Sequence, residues 1–231
     1  MTELFDDARE WARGRMWIPR ALLLAYLSYA FVRFLYEPDS GTIFSGITLA
    51  FHEMGHLLFA WAPHFVMSLM GSGMQVLIPI VVIVIFRRQE DYFGVAVGGF
   101  WLSFSLFELA RYVGDARAME LPLVGFSSEP EHDWHYLLGA MHMLPADHFF
   151  AFLIRLAAFV IGAASITFAV WLLNEMRKPK PVIRPSATIS PLRGGRDYRP
   201  LRTAEREERA RGADEGPSDA GRQWDELTKS E

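Results

Sequence analysis

The chain has 231 residues, a formal net charge of −4, an apolar fraction of 51% and no cysteine. Disulfides and thiolate ligands are thereby excluded, and any bound metal must be held by nitrogen and oxygen donors. The single net charge describes two unlike bodies: from Trp17 to Asn174 the only Lys or Arg are Arg20, Arg33, Arg87, Arg88, Arg111, Arg117 and Arg155, whereas 13 basic and 11 acidic residues crowd into positions 175–231.

In chain order, residues 1–16 (MTELFDDAREWARGRM) are mixed in charge and read as a short amphipathic helix. The apolar run from Trp17 to Tyr36 has the length of one bilayer crossing, about 20 residues. It follows acids and lacks a small-residue cleavage site, so it reads as a retained anchor and not as a signal peptide. A second apolar stretch, about Ile43 to Trp61, is followed by Pro63, which should end or kink its helix. Residues 64–86 form a third, in which Gly71-Ser72-Gly73 is expected to break the chain before the apolar run to Phe86. After the polar loop RRQED (87–91) come two further spans, 92–113 and 149–173, separated by the polar segment 114–148.

Several long apolar runs are incompatible with barrel strands of about ten alternating residues. The expected class is therefore all-α, a polytopic membrane protein with four to five transmembrane helices. Its organisation is an N-terminal amphipathic segment (1–16), a transmembrane body (17–174) and a charged tail (175–231). The tail carries six of the chain's 13 prolines and little apolar content, a composition that predicts disorder. Its first half is basic and directly follows a span, which points to a cytoplasmic tail near anionic headgroups and away from nucleic acid as a partner. Five full spans would place the N-terminus outside; if 43–70 dips in and returns on the same side, both termini lie inside.

Within the second apolar stretch, TLAFHEMGHLLFAW (48–61), stand His52, Glu53 and His56. Ionisable groups at bilayer depth cost roughly 2.5–3.5 kcal/mol each on insertion scales, and they mark function or a polar cavity. Positions i and i+4 share a helix face, so His52 and His56 can turn ring nitrogens to one metal ion, with Glu53 beside them as general base and then acid. Gly55 leaves one side of this helix bare for close backbone approach.

The pattern His-Glu-x-x-His in a membrane span, HEMGH at 52–56, resembles the site-2 protease class of intramembrane zinc metalloproteases. The likeness extends loosely through GSGMQVLIP (71–79), ELARYVGDARAMELPL (108–123) and EHDWHYLLG (131–139). It implies one Zn2+ per chain, hydrolysis of peptide bonds in or near the bilayer, and a membrane-protein or peptide substrate. The family's third ligand is an aspartate. In chain order it falls on Asp115, although the Asn-Pro-Asp-Gly element that carries it elsewhere is absent here.

Asp115, at the end of the 92–113 span, is accordingly the first expectation for the third ligand, with His132 or Asp133 of HDWHYLL as the alternative. Gln75 is a possible substrate contact, or a polar contact between helices. Glu108 and Arg155 are expected to pair across two spans, with Arg155 as an oxyanion donor the lesser reading. His64, His142 and His148 read as structural. The expected setting is an inner (plasma) membrane of bacterial type. A second function stands beside the peptidase: a metal-binding membrane protein without catalysis, in assembly or ion handling, for which Glu53 would be dispensable.

Overall fold

The computed structural model describes residues 2–37, 40–122 and 131–180. The expected disordered tail falls, from residue 181 onward, outside the described residues. Those that are described form seven α-helices: α1 (Thr2–Ala12), α2 (Ile18–Tyr36), α3 (Ser45–Leu58), α4 (His64–Arg88), α5 (Tyr92–Gly114), α6 (Asp133–Ala140) and α7 (Asp147–Met176), with a 3₁₀ turn, Leu144–Ala146, leading into α7. Helices α2, α4, α5 and the continuous segment Leu144–Met176 are long and apolar enough to cross a membrane. This is the build of an integral membrane protein with four spans.

Helix α5 is the axis of the bundle. Its apolar window is 78% buried, against 22–28% for the other three spans, whose outward faces are left for lipid. Aromatic rings fill the space around it: Phe34 stacks on Phe104 and Phe107, Phe31 meets Phe107 and Phe159, and Phe44 stacks on Trp101.

The helix ends sort into two sets. At one end of the bundle lie α1, the start of α2, the end of α4, the start of α5 and the end of α7. Phe5 packs on Phe168 and Trp171, Trp11 on Tyr92, and the Arg177 guanidinium sits over Trp17. Buried Glu175 draws Arg9, Arg13 and Lys178 to the same place. The opposite end gathers the close of α5, α6 and the beginnings of α4 and α7: Tyr112 meets Asp133, His64 meets Glu131, and Arg117 meets Asp147.

Helix α3 departs from the expected span. It has 14 residues, about 21 Å at the usual rise, too short for a hydrocarbon core of about 30 Å. Its start lies at mid-depth. The Ile43 N–H donates to Tyr26 Oη in the middle of α2 (3.3 Å), and Trp101, near the middle of α5, donates to Thr48 Oγ1 (2.9 Å). The chain before it is non-helical at membrane depth, which is tolerated only when its polar groups find protein partners. They do: Thr42 N–H donates to Ser45 Oγ, Phe44 N–H to Thr42 Oγ1, and Ser45 Oγ donates to Glu108 Oε1 at 2.5 Å. Helix α3 is thus a re-entrant half-helix, and with four crossings both described ends of the chain lie at the same end of the bundle.

Two further expectations are corrected by packing. Residues 71–73 do not break the chain but lie within continuous α4. Helical backbone is self-satisfied in lipid, whereas a break would not be, and the small residues serve close approach instead. A Cβ on Gly55 would run into the Met70 carbonyl oxygen and lie 2.9 Å from Gly71 Cα. Glu108 is engaged by Ser45, while Arg155 lines an open cleft between α5 and α7 with Arg111 and His148.

Candidate metal centre

Helix α3 rises antiparallel to α4, so that His52 comes opposite Gln75 and His56 opposite Met67. Helix α6 closes the third side. His52 Nε2 lies 3.1 Å and His56 Nε2 3.2 Å from Asp133 Oδ2, and one ligand atom from each of the three residues falls within 4.8 Å of the others. His52 and Asp133 are 8% exposed and His56 is half-buried.

The hydrogen bonds at the far side of each ring settle the tautomers. Gln75 Nε2 donates to the Ser105 carbonyl (2.9 Å), which can only accept, so Gln75 Oε1 is the atom facing His52. His52 Nδ1 therefore carries the proton and donates to it at 3.1 Å. In the same way His56 Nδ1 donates to the Met67 carbonyl at 3.1 Å. Both Nε2 lone pairs are left pointing at Asp133. Two nitrogen lone pairs and a carboxylate oxygen, all acceptors, thus face one another, an arrangement stabilised only by a cation or a proton among them. Nitrogen and oxygen donors in this number suit zinc, which takes three protein ligands in catalytic sites.

The floor of the site is Gly71. A Cβ there would collide with His56 Nε2 and lie 2.9 Å from His52 Nε2, so no larger residue leaves room for both rings. Glu53, one residue after His52 and a turn before His56, is half-buried and makes no hydrogen bond among the described residues.

The structure places Asp133, the alternative, beside the two histidines, and puts Asp115 elsewhere. Asp115 caps the end of α5, where its carboxylate accepts from Glu120 N–H (3.0 Å), Leu121 N–H (3.1 Å) and His132 Nε2 (3.3 Å). His132 does not reach the metal ligands either. Its Nδ1 accepts from His135 N–H as the N-cap of α6, leaving Nε2–H for Asp115. Burial lowers its pKa more than Asp115 raises it, in keeping with a neutral ring. Asp115 and His132 together tie the start of α6 to the end of α5, and Asp133 is held in register by that tie.

Tyr112 and Trp134 are positioning groups that the sequence pattern did not single out, and they act beside His135 of the same HDWH segment. Tyr112 Oη accepts from Asp133 N–H (2.9 Å) and donates to Asp133 Oδ2 (3.3 Å), while its ring stacks on His132. Trp134 Nε1 donates to Ser72 Oγ (3.0 Å), and His135 Nδ1 to the Ala116 carbonyl (2.8 Å). A tyrosine one residue after Arg111 and three before a capping aspartate is a weak cue, because its partner lies 21 positions away. Gln75 is spent internally between His52 and Ser105, as a helix-to-helix contact. His64 pairs with Glu131 and packs on Tyr136, near the centre but outside its ligand set.

The chain matches no family model, no curated protein and no solved structure.

Proposed function

We propose that the protein is a membrane-embedded zinc metallopeptidase, similar to the site-2 protease class, that hydrolyses peptide bonds of membrane proteins or peptides. The observation that carries this reading is the convergence of His52 Nε2, His56 Nε2 and Asp133 Oδ2, with each histidine's other nitrogen already committed to an acceptor. Asp133 takes the place first expected for Asp115.

Bound there, one zinc ion would act as a Lewis acid toward a carbonyl and make water acidic enough to lose its proton near neutral pH. Glu53 is the group left to take that proton and return it to the leaving amine: it is the one carboxylate on the motif helix, next to His52 in sequence, with no competing hydrogen bond among the described residues. Gln75 and the Met67 carbonyl keep both imidazoles aimed, as partners of ligating histidines generally do. Tyr112 holds Asp133 by both its backbone and its carboxylate. A transmembrane helix offered as substrate would have to unwind locally, since its amides are already hydrogen-bonded.

The setting we infer is an inner (plasma) membrane, with the tail in the cytoplasm. In support, Arg13, Arg15, Arg20, Arg87, Arg88, Arg177, Lys178 and Lys180 all belong to the bundle end that carries both described ends of the chain.

The test is metal content and hydrolysis together. Detergent-purified protein should carry about one zinc per chain by mass spectrometry, and His56→Ala should carry none. Glu53→Gln should keep the metal and lose at least 100-fold in cleavage of a library of transmembrane peptides, read by product masses. Full cleavage by Glu53→Gln would overturn the assignment of the base; metal without cleavage in the wild type would leave a non-catalytic metal protein.

A further inference from the structure

We infer that the metal centre works on the extracytoplasmic side of the membrane, and that its substrates present the bond to be cut at the outer-leaflet end of a transmembrane segment or just beyond it. The substrate class rests on the peptidase reading; the sidedness does not.

Depth comes from α5, which runs the length of the bundle and serves as a ruler. The centre is bracketed by Ser105, through Gln75, and by Tyr112, through Asp133. These positions lie about 3–14 Å below Gly114 at a rise of about 1.5 Å per residue. The centre therefore sits in the half of the bundle nearest α6. From the opposite end it is separated by the remaining turns of α5, from Tyr92 to Phe104, packed with Phe100 and Phe104, both under 2% exposed. No described polar side chain connects the centre with that end through this layer.

Compartment follows from the basic residues. The end that gathers α1, the α4–α5 loop and the close of α7 carries Arg13, Arg15, Arg20, Arg87, Arg88, Arg177, Lys178 and Lys180, all close to span ends. The end beside α6 has Arg33, Arg111 and Arg117, with Arg155 deeper in α7; Arg33 is bonded to Glu37 and Arg117 to Asp147. Lysine and arginine near span ends stay in the cytoplasm, so the α6 end faces the other compartment. Because α3 is re-entrant and not a fifth crossing, the centre lies toward the opposite side of the membrane from both described ends of the chain. Water and substrate then reach His52, His56 and Asp133 from outside, past α6 and the exposed Glu131.

The chain's lack of cysteine makes the test clean. Four full-length variants each gain one thiol: Trp61→Cys and Glu131→Cys at the α6 end, Met16→Cys and Gln89→Cys at the other. All four replace exposed residues. Intact cells are treated with a membrane-impermeant maleimide, and the same reagent is applied after permeabilisation. Trp61→Cys and Glu131→Cys should label at least tenfold more than the other pair in intact cells, and all four should label equally after permeabilisation. Labelling of Met16→Cys or Gln89→Cys in intact cells overturns the sidedness, and so does failure of Trp61→Cys and Glu131→Cys to label there. No proteolysis enters this readout. The expected pattern in a protein that cleaves nothing would therefore remove the peptidase reading and leave the orientation standing.

Discussion

His52 and Gln75 are joined across two helices by a 3.1 Å hydrogen bond that decides which nitrogen of His52 faces Asp133. The Gln75 amide is itself oriented by the Ser105 carbonyl, so the tautomer of His52 on α3 is dictated from α5. Replacing Gln75 by Leu removes the acceptor while keeping the volume near constant. Such partners of ligating histidines contribute about 10–100-fold in metal affinity, and a loss of that size is expected for Gln75→Leu in a competition titration with a zinc chelator. Gln75→Glu, which keeps an acceptor, should lose less.

The two aspartates should separate in the same assay. Asp133→Ala removes a ligand atom and is expected to abolish stoichiometric zinc. Asp115→Ala removes a contact to His132 and two caps on the turn after α5, so metal should bind more weakly but still bind. Equal loss in both variants would contradict the geometry.

Gly71 and Gly73 offer a sharp contrast. A methyl group at Gly71 would collide with both imidazoles, whereas one at Gly73 would meet only the flexible end of Met70, at 3.2 Å. Gly71→Ala should lose metal without unfolding, and Gly73→Ala should keep it. Melting curves in detergent, run beside the metal measurement, separate a distorted centre from a destabilised fold.

Gly55 and Ser45 bear on stability. Gly55→Ala would press a methyl group onto the Met70 carbonyl backbone, and overpacking of this sort costs about 1–3 kcal/mol or more. Ser45→Ala would leave the partly buried Glu108 carboxyl without its 2.5 Å donor, a penalty of about 1–3 kcal/mol. Both should lower the melting temperature measurably. Ser45→Thr, which keeps the hydroxyl, should recover most of the loss.

How far these features were legible beforehand depended on the range of the interaction. The helical class and the four spans follow from local hydropathy, and the histidine pair from a spacing of four. The close approach at Gly55 was legible too, because a missing side chain on one helix face is a local fact. Choosing between Asp115 and Asp133 was not, since it turns on where an eight-residue helix, separated from α5 by a polar segment, comes to rest. Asp115 occupies a helix end, where a carboxylate has backbone N–H groups to accept from; Asp133 has the histidines. The shortness of α3 was also hidden. Residues 43–61 are apolar enough for a crossing, and only the partners at Tyr26, Trp101 and Glu108 show that the helix begins half-way down.

That half-length has a consequence for how the protein is made. As α3 leaves the ribosome it is too short to span and carries three ionisable groups, a poor candidate for entry into lipid on its own. The carboxylate that receives Ser45, at position 108, and the indole that caps Thr48, at 101, are synthesised more than fifty residues later. Helix α3 therefore finds these partners only once α5 has been made, and Asp133 is made later still. The facing atoms of His52, His56 and Asp133 can therefore come together only after most of the bundle has been made.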